Sequence, residues 1–175
     1  FMIDIVIRGG TVIDGTGEPG FRADVAIRDG RITTIGGDIS ASGAQVIEAT
    51  GRVVAPGFID IKTHSDWTLP LMPQCESKVR QGVTTEVIGH CGYSCAPVLP
   101  GKVQQIRDFL SPSAPWLTFF ETDFANYAGT YPATAVNRVM LVGHNTLRLM
   151  TMGLENRPPA PHELEQMKSG RASCR

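Results

Sequence analysis

The stretch "GFIDIKTHSDW", residues 57–67, decides the fold. An apolar run containing Phe58, Ile59 and Ile61 leads straight into a polar end at His64 and Asp66. A nearly unbroken apolar run of this length fits a strand buried on both faces, as parallel sheets require. Strands of βα folds carry their reacting groups at their C-terminal ends. His64 therefore stands where a metal ligand would be delivered. A His-x-His pair uses the period of two along a strand to aim two imidazoles the same way. The position two residues before His64 holds Lys62 instead, and a protonated ammonium does not ligate a cation.

Two later segments repeat the pattern. "VTTEVIGH" (83–90) and "NRVMLVGH" (137–144) are apolar runs that also end in a histidine, His90 and His144. One such histidine is commonly no more than a half-buried side chain; three in the same place of the unit form a pattern. Between and after them, "PQCESKVRQG" (73–82), "GKVQQIRDFL" (101–110), "WLTFFETDFANYAG" (116–129), "NTLRLMTMG" (145–153) and "PHELEQMK" (161–168) read as helices. Gly82 and Gly129 end two of them, and Pro161 opens the last. Strand–helix alternation predicts an α/β fold.

Residues 1–55 follow another rhythm. "IDIVIR" (3–8) alternates apolar and polar, and "DG" at 29–30 is a primed-turn signal between Val25/Ile27 and Ile32/Ile35. The expected organisation is a small antiparallel β module over 1–55, the first βα units of a TIM-like barrel over 56–168, and an irregular tail over 169–175. A full (β/α)8 barrel takes about 250 residues, so the 120 residues from Pro56 to Arg175 hold about three units. "SGRASCR" (169–175) shows no pattern and reads as an irregular tail; a truncation, a frameshift and a natural terminus are all open there.

The chain has 175 residues and a net charge of −1, with Lys and Arg scattered, which argues against nucleic acid or an anionic membrane as a partner. No apolar run approaches the roughly 20 residues of a membrane helix, and the N-terminus lacks a basic and apolar leader. Cys75, Cys91, Cys95 and Cys174 form no dense disulfide framework. The expectation is a cytoplasmic chain with free or metal-bound thiols. An open three-stranded parallel sheet leaves an unpaired edge, so self-association through that edge is expected.

Cys91 has two readings. It is a thiolate ligand turned inward by Gly89 and Gly92, or a small buried thiol at a strand end; the residues alone split these evenly. Asp66 either accepts the other ring N–H of His64 or serves as a helix N-cap or turn residue. Alternation along an extended strand puts His90 opposite Cys91, so the two are not expected to ligate together. His144 is a weaker candidate, lining the pocket against substrate. Cys95 reads as packing, His162 as surface, and Asp108 and Asp123 as solvated charges on helices.

Several segments together resemble a family. "DIVIRGGTVIDGTG" (4–17), "VVAPGFID" (53–60), "THSDW" (63–67) and "QGVTTEVIGHCGYSCAP" (81–97) resemble the start of the amidohydrolase superfamily. Within it the chain is similar to the D-aminoacylase group, the N-acyl-D-amino-acid deacylases. "GHCGYSCAP" (89–97) is the most specific piece, with "VGHNTLR" (142–148) and "MGLENRPP" (152–159) in support. The resemblance implies the N-terminal portion of an amidohydrolase, with a small β-sandwich module and an incomplete barrel of about three units.

It also implies a Zn2+-dependent hydrolase that removes the acyl group from a small N-acyl-D-amino acid. His64 matches the second His of the family's His-x-His, Cys91 matches its cysteine zinc ligand, and Lys62 stands in place of the first His. In such enzymes zinc acidifies water and polarises the amide carbonyl, and an aspartate acts as general base. That aspartate and the remaining zinc histidines lie on later barrel strands, so the resemblance implies that this chain is inactive alone. Two rivals stand beside it. A dihydropyrimidinase-like cyclic amidase is opposed by "GHCG". A non-catalytic scaffold fragment is favoured by Lys62 and the unpatterned C-terminus.

Overall fold

The computed structural model describes residues 2–172. The chain divides into two compact units, Phe1–Pro56 and Gly57–Arg175.

The first unit is one five-stranded sheet: β1 (Ile5–Val12), β2 (Phe21–Arg28), β3 (Arg31–Gly36), β4 (Gln45–Glu48) and β5 (Val53–Val54). Asp29 and Gly30 both have positive φ, as a primed turn demands, and they close the β2–β3 hairpin. β1 and β2 are likewise antiparallel. β4 and β5, however, run parallel to β1, so the module expected to be antiparallel is a mixed sheet. Turn signals report local hairpins and are silent on the crossovers that return the chain beside β1. Val12, Ala23 and Val25 form its core, with Ile7, Ile27 and Val54 against them.

The second unit holds three parallel strands in the order β6 (Phe58–Asp60), β7 (Val83–Ile88), β8 (Asn137–Met140). Its helices are α1 (Glu76–Val79), α2 (Val103–Leu110), α3 (Phe124–Gly129), α4 (His144–Met152) and α5 (Pro161–Ala172), and a single 3-10 turn spans Ser65–Trp67. The core lies between one sheet face and the helices, where Ile88, Ile106, Leu110, Phe124, Leu149 and Met150 are buried together.

Four expectations are corrected here. The run 57–64 is not buried on both faces: Phe58 is 65%, Ile59 60% and Ile61 72% exposed, because β6 is the edge strand and successive side chains on its two faces both lie open. β6 is also short. The chain bends at Lys62, whose backbone N–H donates to the Asp60 side chain (3.2 Å), a local bond that competes with the strand ladder. The helix expected over 116–129 begins only at α3, where Asp123 accepts from the Asn126 N–H (2.7 Å) and caps it. The preceding residues form no helix, with Thr122 bridged to Val98. The irregular tail expected from 169 is helical through Ala172, since nothing before that point breaks α5; residues 173–175, including Cys174, lie outside the described residues. Among the described residues, no helix is long and apolar enough to cross a membrane.

Candidate metal centre

The turn that follows β7 is fixed by glycine. Gly89 has φ +81, and a Cβ there would sit 2.1 Å from the Leu141 carbonyl oxygen. Gly92 has φ +82 and lies against the Asn145 side chain. Its carbonyl accepts the N–H groups of Asn145 (2.9 Å) and Thr146 (3.2 Å) at the start of α4. Thr146 Oγ1 accepts from the Ser94 N–H and donates to the Ser94 carbonyl, each at 2.9 Å. Ser94 Oγ accepts from the Gly143 N–H at 2.9 Å. His90 and Cys91 thus ride on a rigid turn packed against α4.

Cys91 itself has φ 58, a left-handed conformation that costs a non-glycine residue about 1–3 kcal/mol and concentrates at functional sites. Its side chain is exposed, so the alternative of a small buried thiol is not realised. β7 has already ended at Ile88, so strand alternation does not set His90 opposite Cys91.

His64 precedes the 3-10 turn and stacks on Trp67 (ring centroids 4.8 Å apart), with Tyr93 tilted at 6.4 Å. Its Nδ1 is buried and makes no hydrogen bond. Burial, reinforced by the nearby charges of His90 and Lys62, pushes its pKa below the usual imidazole range. The ring is therefore held neutral, the form that binds metals. His90 Nε2 is likewise buried without a hydrogen bond.

Asp66 is only 3% exposed. Neither carboxylate oxygen completes a hydrogen bond; the nearby N–H groups of Asp66 and Gly89 favour the anion without forming well-aligned bonds. Burial pushes its pKa up to about 7, opposed by those N–H groups, with the Glu86 charge adding to the rise. Asp66 accepts nothing from His64 and caps no helix; it lies within the 3-10 turn Ser65–Trp67, as the turn reading expects. The adjoining cavity is about 10 Å³, the lower limit for a single water.

A second polar cluster escaped the sequence reading. Glu86, 0% exposed on β7, accepts from the Ser65 hydroxyl (2.9 Å) and pairs with Lys78 (3.3 Å). Lys78 also donates to Asp60, which holds the Asp60 carboxyl low and the Lys78 ammonium high. A charged residue in the middle of "VTTEVIGH" was the available signal. A cleft of about 400 Å³ lined by Leu69, Met72, Cys75, Lys78 and Glu86 opens on this ion pair.

The remaining candidates stand apart. His144 is the exposed first residue of α4, Lys62 and His162 are exposed, and Cys95 is buried, its thiol pushed up to about 12 by burial. Asp108 accepts from Gln104 (2.7 Å) on α2. Two unpartnered imidazole nitrogens and an exposed thiol are the donor types zinc takes. Among the described residues, however, no three His, Cys, Asp or Glu groups converge to hold an ion. The residues fit zinc in kind and supply part of its shell.

No family model matches the sequence. The chain is 42% identical over 168 residues to an N-acyl-D-aspartate deacylase of Alcaligenes xylosoxydans xylosoxydans, covering 95% of this chain and 33% of that protein. It superposes with a TM-score of 0.82 and 37% identity on a D-aminoacylase described as having a binuclear metal centre, covering 98% of this chain and 36% of the other. An N-acyl-D-glutamate deacylase from Bordetella bronchiseptica, solved with zinc and a phosphonate mimic of the tetrahedral intermediate, gives a TM-score of 0.77 at 36% identity, covering 97% and 35%. The chain spans about a third of the length of each of these proteins. In sequence and in mixed α/β fold, it is a relative of the D-aminoacylases, the N-acyl-D-amino-acid deacylases among the amidohydrolases.

Proposed function

We propose that the chain is the N-terminal portion of a zinc-dependent hydrolase that cleaves the amide bond of N-acyl-D-amino acids. The observation that carries this reading is the 42% identity to a deacylase across 95% of the chain. Residues 1–55 then form the β-sandwich module, and β6–β8 with their helices form the first units of a (β/α) barrel. His64 and Cys91 hold Zn2+. When bound, zinc supplies a Lewis acid for the amide carbonyl and for water.

The chain's own residues prepare that site. The Gly89–Gly92 turn fixes the backbone that carries Cys91, and burial keeps His64 unprotonated. His144 stands at the same end of the sheet as a substrate contact. Asp123 is used as a cap and Asp108 pairs with Gln104, so neither serves as the general base the family uses. On this reading the family's general base lies on later barrel strands, and the 175-residue chain alone is inactive. The exposed apolar face and edge of β6 are where a second copy would dock. The free thiols suit a reducing compartment such as the cytoplasm.

The test is a chimera. Residues 1–168 replace the matching third of the Alcaligenes deacylase, once as they stand and once with Lys62→His. The expected result is zinc-dependent release of amino acid from N-acetyl-D-aspartate, N-acetyl-D-glutamate or N-acetyl-D-methionine, with no action on the L forms. Folded, zinc-loaded chimeras inactive on all three D substrates would contradict the reading. Lys62 favours one rival, a scaffold that kept the fold and lost the metal; that rival predicts no zinc on the purified chain.

A further inference from the structure

We infer that His90 is an imidazole donor, paired with His64, to the metal this chain binds. The inference rests on the metal-site reading above and adds a ligand to it.

Each ring carries one buried nitrogen with no hydrogen bond, Nδ1 of His64 and Nε2 of His90. Buried polar atoms without a partner are uncommon, and each calls for an explanation such as an ion. Here two are of the same chemical type and follow neighbouring strands. β6 and β7 are paired in parallel with Asp60 opposite Glu86. Beyond the end of β6 the Thr63 N–H still reaches the Val87 carbonyl (3.3 Å), so the chain into His64 runs alongside the chain into His90. Neighbouring strands lie about 4.8 Å apart, a spacing that one ion between two imidazoles can bridge.

The backbone around the pair favours it. Gly89 and Gly92 lock the turn against β8 and α4, so His90 is presented on a fixed frame. Lys62 is exposed where the chain bends, which leaves the second imidazole to come from the turn after β7 rather than from position 62. Exposed Cys91, next in sequence, is the soft donor nearest to the pair along the chain.

The test uses the purified 175-residue chain with 15N-labelled histidine. Zinc is added, and the ring nitrogen resonances of all four histidines are followed by NMR. Cobalt(II) absorption then gives affinities for wild type and for His90→Asn, with circular dichroism to check folding. The expected result is that ring nitrogens of His64 and His90 shift, those of His144 and His162 stay, and His90→Asn weakens cobalt binding more than about tenfold, the scale on which even supporting residues act. If His64 shifts and His90 does not, the metal reading stands and the inference falls. If neither shifts and no cobalt binds, both fall. Should His90→Asn fail to fold, the wild-type spectra decide alone.

Discussion

Two polar clusters stand at the ends of β6 and β7, and they have opposite characters. In one, Glu86 Oε1 meets a cation, Lys78, and a hydroxyl donor, Ser65, and Lys78 has a second partner in Asp60, while Glu86 Oε2 is left without a hydrogen bond. In the other, His64, Asp66 and His90 hold buried polar atoms with no hydrogen-bond partner. Buried charge that is matched holds a fold together; buried polar groups left unmatched are costly and persist where a ligand or chemistry repays them. On the proposed function, the ion-paired Glu86 cluster serves structure and the His64 cluster binds the metal, only a few residues away.

The contrast can be broken from the structural side first. Lys78→Met strands Glu86 as an uncompensated buried charge, and urea denaturation should show a loss of about 3–5 kcal/mol. The double variant Lys78→Met/Glu86→Leu should recover most of it. A loss below about 1 kcal/mol in the single variant would remove the ion pair from the account.

Asp66 tests the other side through pH. Its pKa is about 7 folded against 3.8 for the free group. Between those values the unfolded chain has released a proton that the folded chain still holds. The Asp66 contribution to stability is therefore fully present below about pH 4, falls as pH rises towards 7, and amounts to about 4 kcal/mol lost above it, while carboxylates with lowered pKa such as Asp60 and Glu163 act in the opposite direction at low pH. Asp66→Asn should flatten that dependence, read from urea midpoints at pH 4, 5.5 and 7.5. An unchanged slope would mean the carboxyl is not starved.

Gly89→Ala should disturb the functional cluster while leaving the Glu86 pair alone. Positive φ and the Leu141 carbonyl both forbid a side chain there. A stability loss above about 1 kcal/mol is expected, together with weaker cobalt binding. Asp123→Ala, away from both clusters, should cost about 1 kcal/mol through its lost cap and leave cobalt binding unchanged.

The sequence made some of this legible and hid the rest for physical reasons. The apolar runs before His64, His90 and His144 exposed the βα rhythm, and "DG" at 29–30 located the hairpin, because period and turn chemistry are local. The parallel placement of β4 and β5 beside β1 depends on crossovers and left no local trace. The segment 116–129 reads as helical by composition, yet Asp123 offers a cap in its middle and the helix starts there. At the proposed site, residue type and position singled out His64, and the family resemblance decided between the two readings of Cys91. Asp66 fell in a turn, as one of its two readings had it, but its burial and unpartnered carboxylate left no local trace in the sequence. Glu86 was passed over because its partner Lys78 lies on another element, and no spacing rule links the two. His90 was set aside on strand alternation, which ends where Gly89 turns the chain.

The most direct test is elemental analysis of zinc in the purified chain, with His64→Ala and Cys91→Ala prepared alongside. The account predicts about one zinc per chain in wild type and little or none in either variant, each variant remaining folded. Wild-type chain free of zinc after exposure to it, or variants that hold as much as wild type, would contradict the assignment of the unpartnered cluster to metal binding.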